Sequence, residues 1–332
     1  MTSTDLPVVD FSMLNIANVR ASEAPPLRES DKLKPLADNL VEALEEFGCC
    51  YLKNHGISLE KAKHLFDVTR EVFSLPEEIK NKYAQRDNAI LHGYVTREIE
   101  RSKQVNSVER YETFMVCPRQ ADDLWADEVA EFKPAALGVY YELQELSKRV
   151  FDVLGVGLGL KDRGYIRRYH MDDFGEIRDA LYHRYPDDFV PQPGQVRFHP
   201  HYDIGTVNLI YQDSAGGLEI KKESGEWMAV PYIPGTVIML VGKLMQRWTS
   251  DRLKAPFHRV SIPVDLAPRR TDRQSLTYFP AMADDFEVRC LDGSDKYKPV
   301  TFQNYTYKII YGAKLTGALD YQIDEKTEET CP

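Results

Sequence analysis

Apolar positions follow helical spacing in the first half of the chain and fall into short β-type runs in the second. Leu36, Leu40, Ala43, Leu44 and Phe47 share one face of a 3.6-residue period, and Gly48 ends the run. Before it, LPVVDFS reads as a strand and residues 20–34 as a polar, Pro-containing loop. Cys49 to Lys53 is short and β-like. A second helix starts at Ser58 or Leu59, with Ala62, Leu65, Phe66, Thr69, Val72 and Phe73 on its apolar face. Pro76 opens a short charged helix, PEEIKNKYA, and residues 88–130 read as irregular. The longest predicted helix covers residues 134–155. Its stripe is Leu143, Leu146, Val150, Val153 and Leu154, and Gly155, Gly157 and Gly159 are expected to break it.

After about residue 178 the pattern changes. TVNLIYQ, GLEIKK, WMAVPYI, TVIMLVG, HRVSIP and SLTYFPAM are separated by the turn-forming spacers DSAGG, KESGE and PG. Short strands at this spacing predict a sandwich or barrel, the jelly roll included. A last helix is expected near Thr301, carrying Tyr305, Ile309 and Ile310, with a polar tail beyond residue 320. The organisation expected is a helical and mixed part over residues 1–125, a long helix and linker over 126–176, a β core over 177–285, and a C-terminal helix and tail over 286–332.

Composition narrows the function classes. The 332 residues are 43% hydrophobic and 28% charged, with a net charge of −10. That balance disfavours nucleic acid and anionic membranes as partners, although a local basic pocket for a small anion remains compatible with it. No stretch approaches the ~18 apolar residues of a membrane span, and the first residues lack a secretory pattern, so a cytoplasmic location is expected. The five cysteines (Cys49, Cys50, Cys117, Cys290, Cys331) are odd in number and not in CxxC spacing, which suits reduced, buried thiols. The sequon at Asn304 is expected to be fortuitous.

Candidate chemistry centres on histidine. Of the eight histidines, His199 and His201 precede Asp203 in FHPHYD, and His258 opens HRVSIP 55 residues beyond Asp203. On a strand, residues i and i+2 share a face, so His201 and Asp203 can grip one ion. Two histidines and one carboxylate form a facial triad that leaves three coordination positions open, the arrangement of Fe(II) oxygenases. H-x-D alone is a weak signal. A zinc hydrolase could use the same donors, but no HExxH is present.

The surrounding residues carry a resemblance. HYDIGTVNLIYQDSAGGLEI resembles the iron-binding strand of the 2-oxoglutarate- and Fe(II)-dependent dioxygenases of the isopenicillin N synthase-like type. WMAVPYIPGTVIMLVGKLMQRWTSDRLKAPFHRVSIP resembles that family's stretch from its W-x-x-V-P-P-x-P-G turn to its H-R-V histidine. LPVVDFS and FGCCYLKNHGIS resemble its N-terminal region, so the likeness spans roughly residues 7–315. It implies an α+β fold with a mainly β core: a double-stranded β-helix (jelly roll) with a helical N-terminal region and a C-terminal helix. It also implies Fe(II), 2-oxoglutarate and O₂ as cofactor and co-substrates, and oxidation (by default hydroxylation) of a small organic metabolite with release of succinate and CO₂.

Carried over by position, His201, Asp203 and His258 match the iron ligands. Arg259 and Ser261 match the pair that binds the far carboxylate of 2-oxoglutarate, and Tyr185 matches a tyrosine that reaches it. A guanidinium fork donates two parallel hydrogen bonds to a carboxylate, which suits the Arg259 assignment. Away from this context Arg259 would read as a surface arginine and Tyr185 as a core tyrosine. The chain departs from the pattern at His183, Tyr202 and Lys243, which weakens transfer of any substrate preference. His199 is read as a residue that supports the ligands or lines the pocket, not as a fourth ligand. Tyr111, Thr113, Phe114, Tyr182, Arg184, Lys243 and Phe279 are substrate-pocket candidates. A relative that oxidises without 2-oxoglutarate and an inactive binding module are the alternatives, and the sequence is silent on substrate identity and oligomeric state.

Overall fold

A computed structural model describes residues 6–18, 30–86, 91–101, 107–120, 124–263 and 271–306. Its helices are α1 (Ser30–Glu46), α2 (Leu59–Phe73), α3 (Glu77–Lys80), α4 (Phe132–Gly157), α5 (Tyr165–Arg168) and α6 (Lys243–Trp248). Its strands are β1 (Val8–Asp10), β2 (Cys49–Lys53), β3 (Gly93–Arg101), β4 (Ser107–Val116), β5 (Glu176–Tyr182), β6 (Val196–His201), β7 (Val207–Gln212), β8 (Leu218–Lys221), β9 (Trp227–Ala229), β10 (Thr236–Val241), β11 (His258–Ser261), β12 (Arg273–Phe279), β13 (Glu287–Val288) and β14 (Val300–Thr301).

Twelve strands form one sheet in the order β1-β2-β10-β7-β12-β5-β4-β6-β11-β8-β9, with β3 paired to β4. The alternation of side chains divides this sheet into two faces. Val207, Leu209 and Tyr211 of β7, Val237, Met239 and Val241 of β10, and Leu276 and Tyr278 of β12 point outward, into a core shared with α1, α2 and α4. Ile210, Ile238 and Leu240 point the other way. There they meet Leu218, Ile220, Met228 and Val230 from the far end of the strand order. Contact between residues from opposite ends of one sheet means the sheet curls over on itself, as a jelly roll does.

The helical layer follows the predicted stripes. Leu143, Leu146, Val150, Val153 and Leu154 of α4 are fully buried, and Ala62, Leu65, Val72 and Phe73 of α2 are buried beside them. The Ser58 side chain accepts from the Lys61 amide and caps α2.

Three expectations need correction. Within the stretch expected to be irregular, residues 93–101 and 107–116 are strands: β3 and β4 pair over nine positions and β4 lies inside the sheet between β5 and β6. Its alternation is hidden by Glu109 and Glu112, acids that are buried because each has cationic or imidazole partners. Helix α1 begins at Ser30 and runs through Pro35, anchored by buried Leu33, so residues 30–34 are helical where a loop was expected. Helix α4 continues through Gly155 and Gly157. There glycine permits close approach: a Cβ at Gly155 would lie 1.9 Å from the Arg163 carbonyl oxygen. Residues 302–306 are helical as expected near Thr301, whereas Ile309 and Ile310 lie outside the described residues. Cys49, Cys50, Cys117 and Cys290 are buried free thiols, and Cys331 lies outside the described residues. No helix among the described residues is long and apolar enough to cross a membrane.

Candidate active site

His201 is the last residue of β6, and Asp203 lies in the turn that follows. His258 opens β11, directly opposite His201 in the antiparallel register. The two rings are 4.2 Å apart between centroids. His201 Nε2 lies 3.6 Å from Asp203 Oδ1, and His258 Nε2 lies 3.5 Å from Asp203 Oδ2. One donor atom from each residue falls within 4.8 Å of the others, close enough to bind a single ion.

The other ring nitrogens are committed. His201 Nδ1 is 2.9 Å from the His199 carbonyl and His258 Nδ1 is 3.1 Å from the Pro256 carbonyl. A carbonyl only accepts, so each Nδ1 carries the proton, and each Nε2 keeps a lone pair for the metal. Asn208 Nδ2 donates to Asp203 Oδ2. The Asp203 carbonyl accepts from the Lys243 amide at 2.8 Å, tying the turn to the start of α6. That approach needs a glycine next door, since a Cβ at Gly242 would sit 2.1 Å from the Gly205 carbonyl oxygen.

Burial opposes charge at all three groups, and their mutual attraction decides the outcome. Burial would raise the Asp203 pKa, but the His258 charge and the hydrogen bond to His201 hold it well below the usual carboxylate range. Burial and then the neighbouring His201 charge push His258 down to about 4. Burial also works against a charged His201, yet the bond to Asp203 outweighs it and raises its pKa. At neutral pH the site therefore offers an anionic carboxylate and a neutral His258, the forms that bind a cation. The donor set, its spacing and its fixed tautomers fit a divalent iron with open positions.

The structure does not bring Arg259 and Ser261 into this site. His258 and Val260 pair with Ile220 and Leu218, which point into the barrel, whereas Arg259 pairs with Glu219 on the opposite face. Arg259 Nε donates to Glu219 Oε2 at 2.6 Å and its guanidinium lies 4.0 Å from the Trp227 ring centre. The Ser261 hydroxyl donates to the Gly217 carbonyl at 3.2 Å. The physical reason is the two-residue period: neighbours in sequence on a strand cannot face the same way.

Another arginine–serine pair faces the barrel interior. Arg273 and Ser275 on β12 share a face, and their partners Tyr182 of β5 and Gln212 of β7 put that face inside the barrel, with Ile210 two residues on. Arg273 is only 2% exposed. Its Nη1 lies 2.9 Å from Ser275 Oγ, its Nε donates to the Gly216 carbonyl at 2.6 Å, and its guanidinium lies 5.1 Å from the Tyr182 ring centre. The signal was present in RQS: a strand arginine and a hydroxyl two residues apart, as in RVS, but in the phase that turns both side chains to the inner face.

The other candidates separate. Tyr111 and Tyr182 stack on each other at 5.3 Å, and both meet Phe198, which lies 5.1 Å from His201. Thr113 is buried and donates to the Asp179 carbonyl. Phe279 carries the Arg178 guanidinium 4.9 Å from its ring centre, and Arg178 Nε donates to Glu176 at 2.8 Å. The Lys243 ammonium lies 4.9 Å from the Tyr202 ring centre. Tyr185 is buried beside Arg197. Phe114 packs against Phe132 and His92 in the outer core, and Arg184 is exposed, so neither faces the site. The His199 ring lies 5.3 Å from that of His201, with Nδ1 2.7 Å from buried Glu109.

Comparison with known proteins agrees with this geometry. Residues 175–280 match the model of the 2OG-Fe(II) oxygenase superfamily, and residues 6–133 match that of the non-haem dioxygenase in morphine synthesis N-terminal region. The chain is 30% identical over 286 residues to the proline hydroxylase buaE of Petromyces alliaceus, covering 81% of this chain and 87% of that one. It is 29% identical over 274 residues to the 2-oxoglutarate-dependent dioxygenase htyE of Aspergillus rugulosus, covering 75% and 82%. Among solved structures, a full-length Neurospora crassa protein in complex with alpha-KG and thymine superposes with a TM-score of 0.79 at 23% identity, over 93% of this chain and 97% of that one. A putative 2OG-Fe(II) oxygenase family protein from Caulobacter crescentus gives 0.78 at 22%, over 93% and 100%.

Proposed function

The chain belongs to the 2OG-Fe(II) oxygenase superfamily, and on that premise we propose that His201, Asp203 and His258 hold its iron while Arg273 and Ser275 hold the far carboxylate of 2-oxoglutarate. It is an oxidoreductase of the 2-oxoglutarate-dependent dioxygenase type. The observation that carries the residue assignment is the convergence of two Nε2 atoms and one carboxylate, with both Nδ1 atoms pinned to backbone carbonyls.

Bound iron would supply the coupling of O₂ reduction and 2-oxoglutarate decarboxylation to oxidation of a substrate C–H bond. The protein contributes placement. His201, Asp203 and His258 would hold the ion. Arg273 fixes the co-substrate by its far end. Tyr111, Tyr182 and Phe198 wall the approach to His201 and exclude water beside it. The substrate is a small organic metabolite and hydroxylation is the reaction proposed; relatives named as proline hydroxylase and as 2-oxoglutarate-dependent dioxygenase support this reading.

Equilibrium dialysis against Fe(II) without oxygen tests the ligand assignment. Wild-type protein is expected to retain one ion per chain, and His201→Ala, Asp203→Ala and His258→Ala to retain none. A triad variant that is folded and still holds a full equivalent of iron contradicts it.

A further inference from the structure

Arg197 on β6 is among the largest fully buried side chains of the molecule, with 2% exposure. Among the described residues, its Nε and Nη2 have no hydrogen-bond partner. A guanidinium taken out of water with donors unmet costs several kcal/mol, so its retention calls for a ligand that satisfies it.

Its surroundings define that ligand. The Arg197 guanidinium lies 5.2 Å from the Tyr185 ring centre, and its charge acts on Tyr182, Tyr185 and Arg273. Two buried guanidinium groups therefore share one region of the barrel, linked by Tyr182, whose ring also faces Arg273. Of the acids nearby, Glu109 accepts from the His199 ring and amide through Oε1. Asp213 accepts from the Gln274 and Ala215 amides and lies 3.8 Å from Arg70 Nη2. The unmet need is for an anion with several acceptor lone pairs. A carboxylate offers about four, more than one arginine fork and one serine fill.

We propose that Arg197 is a second guanidinium clamp for the far carboxylate of the 2-oxo acid co-substrate, acting beside Arg273. This rests on the co-substrate reading given above. It makes the site selective for a 2-oxo diacid over a 2-oxo monoacid, since only the diacid pairs with both arginines.

Calorimetric titration of Fe(II)-loaded protein without oxygen tests it, with 2-oxoglutarate and with 2-oxopentanoate, which has the same chain length and lacks the far carboxylate. Arg197→Gln should weaken 2-oxoglutarate binding at least tenfold and change 2-oxopentanoate binding less than threefold, with Arg197→Lys losing less. Thermal unfolding supplies a second readout. Without co-substrate the Arg197→Gln midpoint should equal or exceed that of the wild type, and the rise produced by 2-oxoglutarate should shrink. A fall in the ligand-free midpoint with an unchanged 2-oxoglutarate affinity, or an equal loss for both acids, overturns the clamp. Arg273→Gln separates the two readings. If it weakens 2-oxoglutarate binding while Arg197→Gln does not, only the clamp fails; if wild type shows no preference for 2-oxoglutarate, the co-substrate reading fails with it.

Discussion

At the scale of single residues, the site depends on which face of a strand a side chain occupies. The triad was legible in FHPHYD and FHRVSIP, because the donors and the later histidine stand out in a chain with eight histidines. The expectation for Arg259 does not fit the fold. Arg259 is adjacent to His258, and adjacency on β11 sends it to the outer face, where Glu219 and Trp227 hold it. The two arginines should therefore respond differently to the same substitution. Arg273→Leu is expected to raise the 2-oxoglutarate KM about a hundredfold or more, as loss of a charge-assisted bidentate contact does. Arg259→Leu should leave it within threefold and cost about 1 kcal/mol of stability, the scale of a partly exposed ion pair. Steady-state kinetics and denaturant unfolding of the two variants check this, and the reverse order would return the role to Arg259.

At the scale of elements, β4 and α4 show what patterning hides. RYETFMV did not read as a strand because Glu112 sits at a buried position. Burial alone would raise its pKa, but hydrogen bonds from His183, Lys80 and Tyr94 bring it down to about 2. A carboxyl with a depressed folded pKa contributes stability above its unfolded value near 4.5, and that contribution disappears as pH falls toward 2. It amounts to about 3 kcal/mol at most. Glu112→Gln should therefore lower stability at pH 7 and flatten its decline between about pH 5 and 2, as followed by urea unfolding; an unchanged pH profile would deny this pairing its role in seating β4. In α4 the sequence correctly showed the apolar stripe, but glycine's part in close packing is visible only against the neighbouring chain. Gly155→Ala meets the Arg163 carbonyl and should cost about 1–3 kcal/mol. Gly138, exposed with open space around it, should gain about 0.5–1 kcal/mol as alanine. Thermal midpoints of the two variants should move in opposite directions.

At the scale of the whole molecule, one curled sheet gathers residues far apart in sequence: Tyr111 from β4, Tyr182 from β5, His201 from β6, His258 from β11 and Arg273 from β12. The short strands after residue 178 made the jelly roll readable, since their turns and alternation are local. The insertion of β4 beside β5 and β6 was not readable, since it depends on long-range pairing and on buried acids matched by partners from other elements. Arg197 was equally hidden, because sequence alone gives no sign that an arginine is buried with donors unmet. We propose that His201, Asp203 and His258 hold an iron that takes 2-oxoglutarate anchored at Arg273. Anaerobic addition of Fe(II) and then 2-oxoglutarate, followed by visible absorption, tests it most directly. The wild type and Arg259→Leu should develop the charge-transfer band of the chelate, Arg273→Leu should need far more 2-oxoglutarate to reach it, and His201→Ala should show none. A full band in His201→Ala, or no band in iron-loaded wild type, would contradict the account.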